Sequence, residues 1–157
     1  MHEPDALRPH GLLTLGSRLR RLGERLQAET QAILNDIDPR VPAAAHPLLA
    51  FLDAPEPRTI GQIATALGVA QPGVTRTVTA LTTLGLTTSA PSPTDARLRL
   101  VSLTPQGRAF VVEARATAWP RVRAAVEDLC TPHGSELLAL LDTLETRLDE
   151  TPLKDRA

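Results

Sequence analysis

Between residues 58 and 104 the chain carries four arginines and one carboxylate, Asp95. Their spacing suits the holding of a polyanion. Arg76 lies in the run Gln71-Pro72-Gly73-Val74-Thr75-Arg76-Thr77-Val78-Thr79, where Val74, Val78 and Leu81 recur at helical spacing. If those three face a core, Gln71, Thr75, Arg76, Thr79 and Thr82 point the other way, with Gly73 beside them. On such a face a guanidinium reaches phosphate or a base edge in a major groove, while threonines offer a hydroxyl to phosphate or a methyl to thymine. Arg97 and Arg99 alternate with Val101 and Leu103, so on a strand all four share one side, basic at one end and apolar at the other. An arginine at a hairpin tip can enter a minor groove, with its neighbour on the adjoining backbone. Asp95, two positions before Arg97, can bond to that guanidinium and orient it.

The elements that must position these groups are written in the same stretch. Thr59 with Gln62 three residues on is a capping box, and Ile60, Ile63, Ala64 and Leu67 then share one helical face. Gly68 stands where a left-handed residue ends a helix. After the turn Val69-Ala70-Gln71, Pro72 suits the first turn of a second helix, which Gly85 closes. Leu86 to Thr104 is rich in β-formers around Pro91-Ser92-Pro93-Thr94-Asp95, the punctuation of a hairpin tip. Helix, tight turn, helix and hairpin in that order make a winged helix-turn-helix, and the function this implies is binding of double-stranded DNA.

Residues 58–107 resemble the MarR family (multiple antibiotic resistance regulators), bacterial winged-helix transcription factors that are obligate dimers. The resemblance rests on Arg58-Thr59-Ile60-Gly61-Gln62-Ile63-Ala64-Thr65-Ala66-Leu67-Gly68, on Gly73-Val74-Thr75-Arg76, and on Leu84-Gly85-Leu86. It continues through Asp95-Ala96-Arg97 to Val101-Ser102-Leu103-Thr104-Pro105-Gln106-Gly107, without a gap. It implies a repressor that binds a palindromic operator as a homodimer and is released by a small-molecule effector. The family often takes small anionic aromatics in the crevice between its dimer helices and its wing domain. Two departures thin the charge of the DNA surface: Ala96 replaces a common wing arginine, and Thr79-Ala80 replaces a common polar-basic pair.

A net charge of −1 looks wrong for a DNA binder until it is divided along the chain. Residues 1–57 carry 6 basic and 8 acidic side chains, 58–104 carry 4 and 1, and 105–157 carry 7 and 9. Paired in a dimer, two such positive segments form a basic face on an acidic body. At 157 residues and 42% hydrophobic the chain can bury one core, and no apolar run approaches a membrane span. The opening Met1-His2-Glu3-Pro4-Asp5 is polar, which argues against a cleavable signal, and a lone cysteine fits a reducing cytoplasm.

The flanks supply the means of pairing. Leu12, Leu15, Leu19, Leu22 and Leu26 form a heptad-like stripe on a helix expected from about His10 to Ile37. Leu137, Leu141, Leu144 and Leu148 repeat it after Ser135, an expected cap, with Leu138 and Leu140 widening the apolar surface. Pro105 to Leu129 reads as one long helix with Phe110, Ala114, Ala118, Val122 and Val126 on a face and a kink at Pro120. Pro39, Pro42 and Pro47 separate the first helix from a short one near Leu48 to Leu52. The expected fold is mainly α with a small β-wing. Residues 1–44 form a dimerisation helix and linker, 45–104 the DNA-binding domain, 105–150 the C-terminal dimerisation helices, and 151–157 a flexible tail.

Other chemistries lack parts. Cys130 reads as a small buried hydrophobe, and Cys130 with His133 falls short of the three or four donors a zinc site needs, His2, His10 and His46 being scattered. Trp119 beside Pro120 reads as a core or interface residue, and the arginines 18, 20, 21 and 25 as a solvated face. With neither a phosphate-binding Gly-x4-Gly-Lys loop nor a Ser, His and acid set on an α/β pattern, no enzyme, cofactor or metal is expected. The rival reading is a winged helix that docks on another protein, for which the charge-poor recognition helix is the motive.

Overall fold

Contacts divide the chain into two units, the first ending at Trp119 and the second beginning at Pro120. The computed structural model describes residues 5–95 and 97–156. Met1 to Pro4 of the polar opening, the wing residue Ala96, and Ala157 lie outside the described residues.

In the first unit a 3-10 stretch, Arg8–Thr14, leads into α1 (Leu15–Leu34), shorter at both ends than the leucine stripe predicts. Gly11 interrupts the entry with φ 53° and ψ −127°, a backbone that only glycine takes readily, so Leu12 falls outside α1. Beyond α1, the Gln31 amide fastens the following loop: its Nε2 donates to the Val41 carbonyl at 3.2 Å and its Oε1 accepts from the Ala43 N–H at 2.6 Å. A 3-10 turn, Ala43–Ala45, then enters α2 (His46–Phe51).

The winged helix follows the sequence reading. Thr59 caps α3 (Ile60–Leu67) with both arms of the capping box in place, and Gly68 ends it at φ 63°. Next come α4 (Gln71–Thr83), with Pro72 in its first turn, and the hairpin of β2 (Thr87–Pro91) and β3 (Arg99–Leu103), in register from Thr87 opposite Leu103 to Pro91 opposite Arg99. A two-residue strand, β1 (Arg58–Thr59), pairs antiparallel with the outer side of β3 and completes the order β1-β3-β2. Under this sheet the core gathers Leu48, Leu49 and Leu52 from α2 and its end, Ile63 from α3, and Val74, Val78 and Leu81 from α4. Val101 and Leu103 of β3 close it against Phe110 and Val111 of α5 (Pro105–Ala116). Every one of these positions falls at the spacing that its element turns inward.

The helix after the wing is broken rather than kinked. α5 ends at Ala116, Thr117 takes φ −122° and ψ −70°, and α6 (Ala118–Cys130) begins one residue later. The expected kink at Pro120 is therefore expressed upstream, because a proline lacks the N–H for the carbonyl four residues back and its ring crowds that carbonyl. In the second unit α7 (Gly134–Glu150) starts directly after His133, whose Nδ1 lies 2.9 Å from Glu136 Oε2. Ser135 thus sits inside the first turn and does not cap it. None of the residues of α7 is buried. The end of the chain makes a 3-10 turn, Leu153–Asp155, after which the Arg156 guanidinium bonds the carbonyls of Thr151 and Arg147.

Two joints tie the winged helix to α5 and to Trp119, the last residue of the first unit. At the first, the Thr104 hydroxyl donates to the Gly85 carbonyl at 2.6 Å and accepts from the Gly107 N–H at 2.9 Å, while the Thr104 N–H donates to the Leu86 carbonyl. Gly107 has no room for a side chain, since a Cβ there would overlap the Leu86 carbonyl oxygen. At the second, the Trp119 indole donates to His46 Nδ1 at 2.9 Å. That bond places the ring proton on Nε2, which is buried and has no hydrogen-bond partner among the described residues. Burial holds the His46 pKa below its ordinary value.

Each joint yields a prediction. Gly107→Ala should lower unfolding stability by about 2–3 kcal/mol, because a backbone oxygen cannot step aside as a side chain would; chemical denaturation measures it. For His46 the folded chain refuses a proton that the unfolded chain accepts. Its stability contribution is therefore complete above the ordinary histidine pKa of about 6.5 and declines as pH falls below it. His46→Gln, which keeps an acceptor for Trp119, should flatten the part of the stability profile below about pH 6.5 that His46 contributes.

Candidate nucleic-acid interface

The exposed face of α4 holds Gln71, Thr75, Arg76 and Thr79, with Gly73 half-buried among them, while Val74, Val78 and Leu81 are buried on the opposite side. The outward reading therefore holds for Gln71, Thr75, Arg76, Thr79 and Thr82, whereas Gly73 is half-buried. Gln71 opens the helix itself and is not the last turn residue. Its amide nitrogen would lie 3.6 Å from a Cβ at Gly61, an ordinary van der Waals distance, so the two positions are neighbours without crowding.

The threonines are not free to act as their residue type alone allows. Thr75, Thr77, Thr79 and Thr83 each donate their hydroxyl proton to the carbonyl four residues back, at 2.8–3.1 Å. Thr82 shares a bond with Thr87, which also reaches the Val78 carbonyl. Phosphate oxygens accept and do not donate, so a hydroxyl whose proton is engaged in its own helix has little to give them. Of the two contacts expected from this face, methyl against thymine is the one the geometry favours. Arg76 is exposed, and no ion pair or hydrogen bond engages its guanidinium among the described residues.

The wing carries the other cations, on different terms. The Arg97 side chain is 94% exposed and stands just outside β3, in the tip. Asp95 does not grip its guanidinium closely: Nε lies 3.7 Å from Oδ1, and the same oxygen accepts from the Arg97 backbone N–H at 3.0 Å. The carboxylate therefore shapes the turn more than it aims the side chain. The tip is closed by the Ser92 N–H on the Leu98 carbonyl at 2.8 Å. Arg99 is pinned across the hairpin, with Nε on the Ser89 hydroxyl and a terminal nitrogen on the Ser89 carbonyl, both at 2.7 Å. One edge of that guanidinium stays open.

Arg58, the fourth cation of this stretch, does not join them. It is half-buried in β1, with its guanidinium 5.6 Å from the centre of the Phe51 ring and 3.6 Å from Glu56. Counting along the sequence places all four arginines in one positive segment. Three of them, Arg76, Arg97 and Arg99, are exposed. The two-residue β1 that buries Arg58 lies within the cap signal of α3, where nothing in the residues marks a strand.

The leucines expected to dimerise fall into two groups. In the first unit Leu19 and Leu22 are exposed and Leu15 half-buried, while Leu12, in the 3-10 entry, is 85% exposed. In the second, Leu137 and Leu148 are exposed and Leu141 and Leu144 half-buried. Cys130 is a half-buried free thiol, and no group of three potential metal ligands occurs among the described residues. No described helix is long and apolar enough to cross a membrane.

A capped helix, an αL turn, a helix with one bare face, and a hairpin with an arginine at its tip define a winged helix-turn-helix protein. A family model described as MarR family matches residues 41–98. That segment is similar to the MarR family, and the chain as a whole has the fold of MarR-family regulators. The chain is similar to the transcriptional repressor CouR bound to a 23-mer DNA duplex, at 28% identity and TM-score 0.71, over 86% of this chain and 96% of that one. It is also similar to Bordetella bronchiseptica BpsR, described with regulation of its DNA binding by 6-hydroxynicotinic acid, at 25% identity and TM-score 0.69, over 86% and 93% of the two chains. A mutant MarR from E. coli complexed with operator DNA shares the fold, at 21% identity and TM-score 0.73, over 92% and 99%. No curated protein matches the chain.

Proposed function

We propose that the chain is a DNA-binding transcriptional regulator, a repressor that occupies a palindromic operator as a homodimer in the cytoplasm and leaves it when a small-molecule effector binds. One observation carries this reading: the bare face of α4, with an unpaired Arg76, accompanies a wing whose tip arginine is almost wholly in solvent. An arginine costs no stability when tucked against a carboxylate or an aromatic ring, as Arg58 is, so cations left free on a structured face suit a polyanionic partner. In the proposed complex Arg76 meets phosphate or a base edge in the major groove, Arg97 enters the minor groove, and the open edge of Arg99 lies on the adjoining backbone, with Gln71, Gly73, Thr75 and Thr79 along the base edges. CouR and BpsR support the reading, the first by its bound duplex and the second by a small acid that regulates its DNA binding. Residues 1–44 and 105–150 would pair two copies and set the recognition helices about 34 Å apart, one turn of duplex. The chain works by binding and not by catalysis.

Affinity for duplex DNA should fall with roughly one power of salt concentration for each phosphate neutralised. Arg97→Ala should weaken binding on the order of tenfold with folding intact, and an unchanged affinity would remove the wing from the contact. Absence of duplex binding at low salt would instead favour a module that docks on another protein. Leu141→Asp should split the dimer, and an intact dimer by sedimentation would reject the C-terminal stripe as its seam.

A further inference from the structure

Three of the engaged threonines of α4 belong to one run. Thr75 donates to the carbonyl of Gln71 at 3.0 Å, Thr79 to that of Thr75 at 2.8 Å, and Thr83 to that of Thr79 at 3.1 Å, so back-bonds thread a single exposed stripe of the helix. A threonine carries two groups on Cβ, and with the hydroxyl turned to its own helix the methyl is left to meet a partner. Beside this stripe run Pro72, Arg76 and Ala80, also four apart and also exposed. The DNA-facing side of α4 is therefore a row of small apolar groups with one guanidinium in it and the Gln71 amide at its head.

We propose that Thr75 and Thr79 select thymine through methyl-to-methyl contact, and that this contact, not hydroxyl chemistry, sets the base preference of the recognition helix. The inference rests on the DNA-binding reading above and adds to it which base α4 selects and with which atoms. In the major groove guanine shows only the acceptors O6 and N7, adenine an N6 amine, cytosine an N4 amine, and thymine an O4 acceptor with a C5 methyl. A hydroxyl whose proton is engaged donates to guanine only by giving up its bond within the helix. Its lone pairs accept from adenine and cytosine amines alike, so hydrogen bonding leaves A·T and C·G pairs unresolved. The methyl resolves them, because thymine alone offers an apolar group to pack against it. Guanine is left to Arg76, whose guanidinium has no partner among the described residues.

The helix also sets the spacing. Residues four apart are separated by about 6 Å along the axis of an α-helix. Successive bases of a duplex are stacked about 3.4 Å apart. With α4 lying in the major groove, the methyls of Thr75 and Thr79 therefore fall over bases roughly two steps apart. Each half-site should hold two thymines at that spacing, on either strand. Thr83 continues the stripe, but it stands at the C-terminal end of α4, away from the end whose residues reach base edges.

Selection by the full chain from a random-sequence duplex pool supplies the probe. Fluorescence anisotropy then compares the best retained duplex with copies carrying deoxyuridine at one thymine at a time, which removes only the C5 methyl. Two thymines about two steps apart in each half-site should each cost about fourfold in affinity, and the other thymines nothing measurable. T75S/T79S, which removes the protein's methyls and keeps both hydroxyls, should bind on the order of tenfold more weakly and no longer distinguish thymine from deoxyuridine. T75V/T79V, which keeps the methyls and removes the hydroxyls, should bind within about twofold of the parent and keep the distinction, circular dichroism confirming that both variants fold. Loss in the valine variant with retention in the serine variant would overturn the proposal in favour of hydroxyl contacts. A parent chain indifferent to deoxyuridine at every position would overturn it while leaving DNA binding in place. Failure to retain any duplex from the pool would instead remove the DNA-binding reading itself.

Discussion

The hydroxyl of Thr104 is the point on which the winged helix depends. It donates to the last carbonyl of the turn after the recognition helix and accepts from an N–H in the first turn of α5, so one side chain binds the end of one helix to the start of another. The same residue's N–H holds the Leu86 carbonyl, where the hairpin begins. Recognition helix, wing base and α5 thus converge within a few ångströms, and Gly107 is the residue that permits it, since nothing larger fits under that carbonyl. The wing's inner residues, Val101 and Leu103, then fall over Phe110 and Val111 without further adjustment. Each contact is modest, but together they fix the hairpin's direction relative to α4, and the distance between two grooves of one duplex can be met only if that direction is fixed.

The surfaces that carry function contrast with this interior. The core of the first unit is closed, with its large apolar side chains almost fully covered. The two flanking helices are open, and an isolated helix of their length is marginal in water without a partner for its apolar side. That asymmetry is what a self-pairing regulator would show in one copy: a finished reading head and unfinished ends.

Much of this is legible in the residues because the signals are local and redundant. Thr59 with Gln62, and the glycines at 68 and 85, each report a backbone state that few other residues satisfy, and Val74, Val78 and Leu81 report a face. What escapes a reading of the residues is set by tertiary contacts. β1 is two residues long and has no periodicity to read; it exists because β3 offers it an edge. The break at Thr117 appears a turn before the proline that causes it. Ser135 has the right chemistry for a cap, yet the helix begins before it. The summed charge of 58–104 cannot reveal that Arg58 turns to Phe51 or that Arg99 is held by Ser89. The contact residues of α4 are legible as a face, whereas the engagement of their hydroxyls is not, since back-bonding depends on side-chain torsion and not on position.

That back-bonding gives the recognition helix an unusual stiffness. A β-branched side chain already has few torsional states in a helix, and a hydroxyl tied to the preceding turn selects one of them. Four threonines along α4 are held this way before any partner arrives. A surface of long lysines and arginines surrenders rotamer freedom each time it docks, at roughly 2 kcal/mol of entropy for every side chain immobilised. The back-bonded threonines surrender almost none. The low charge of their face weakens the attraction, and its rigidity lessens what association must overcome.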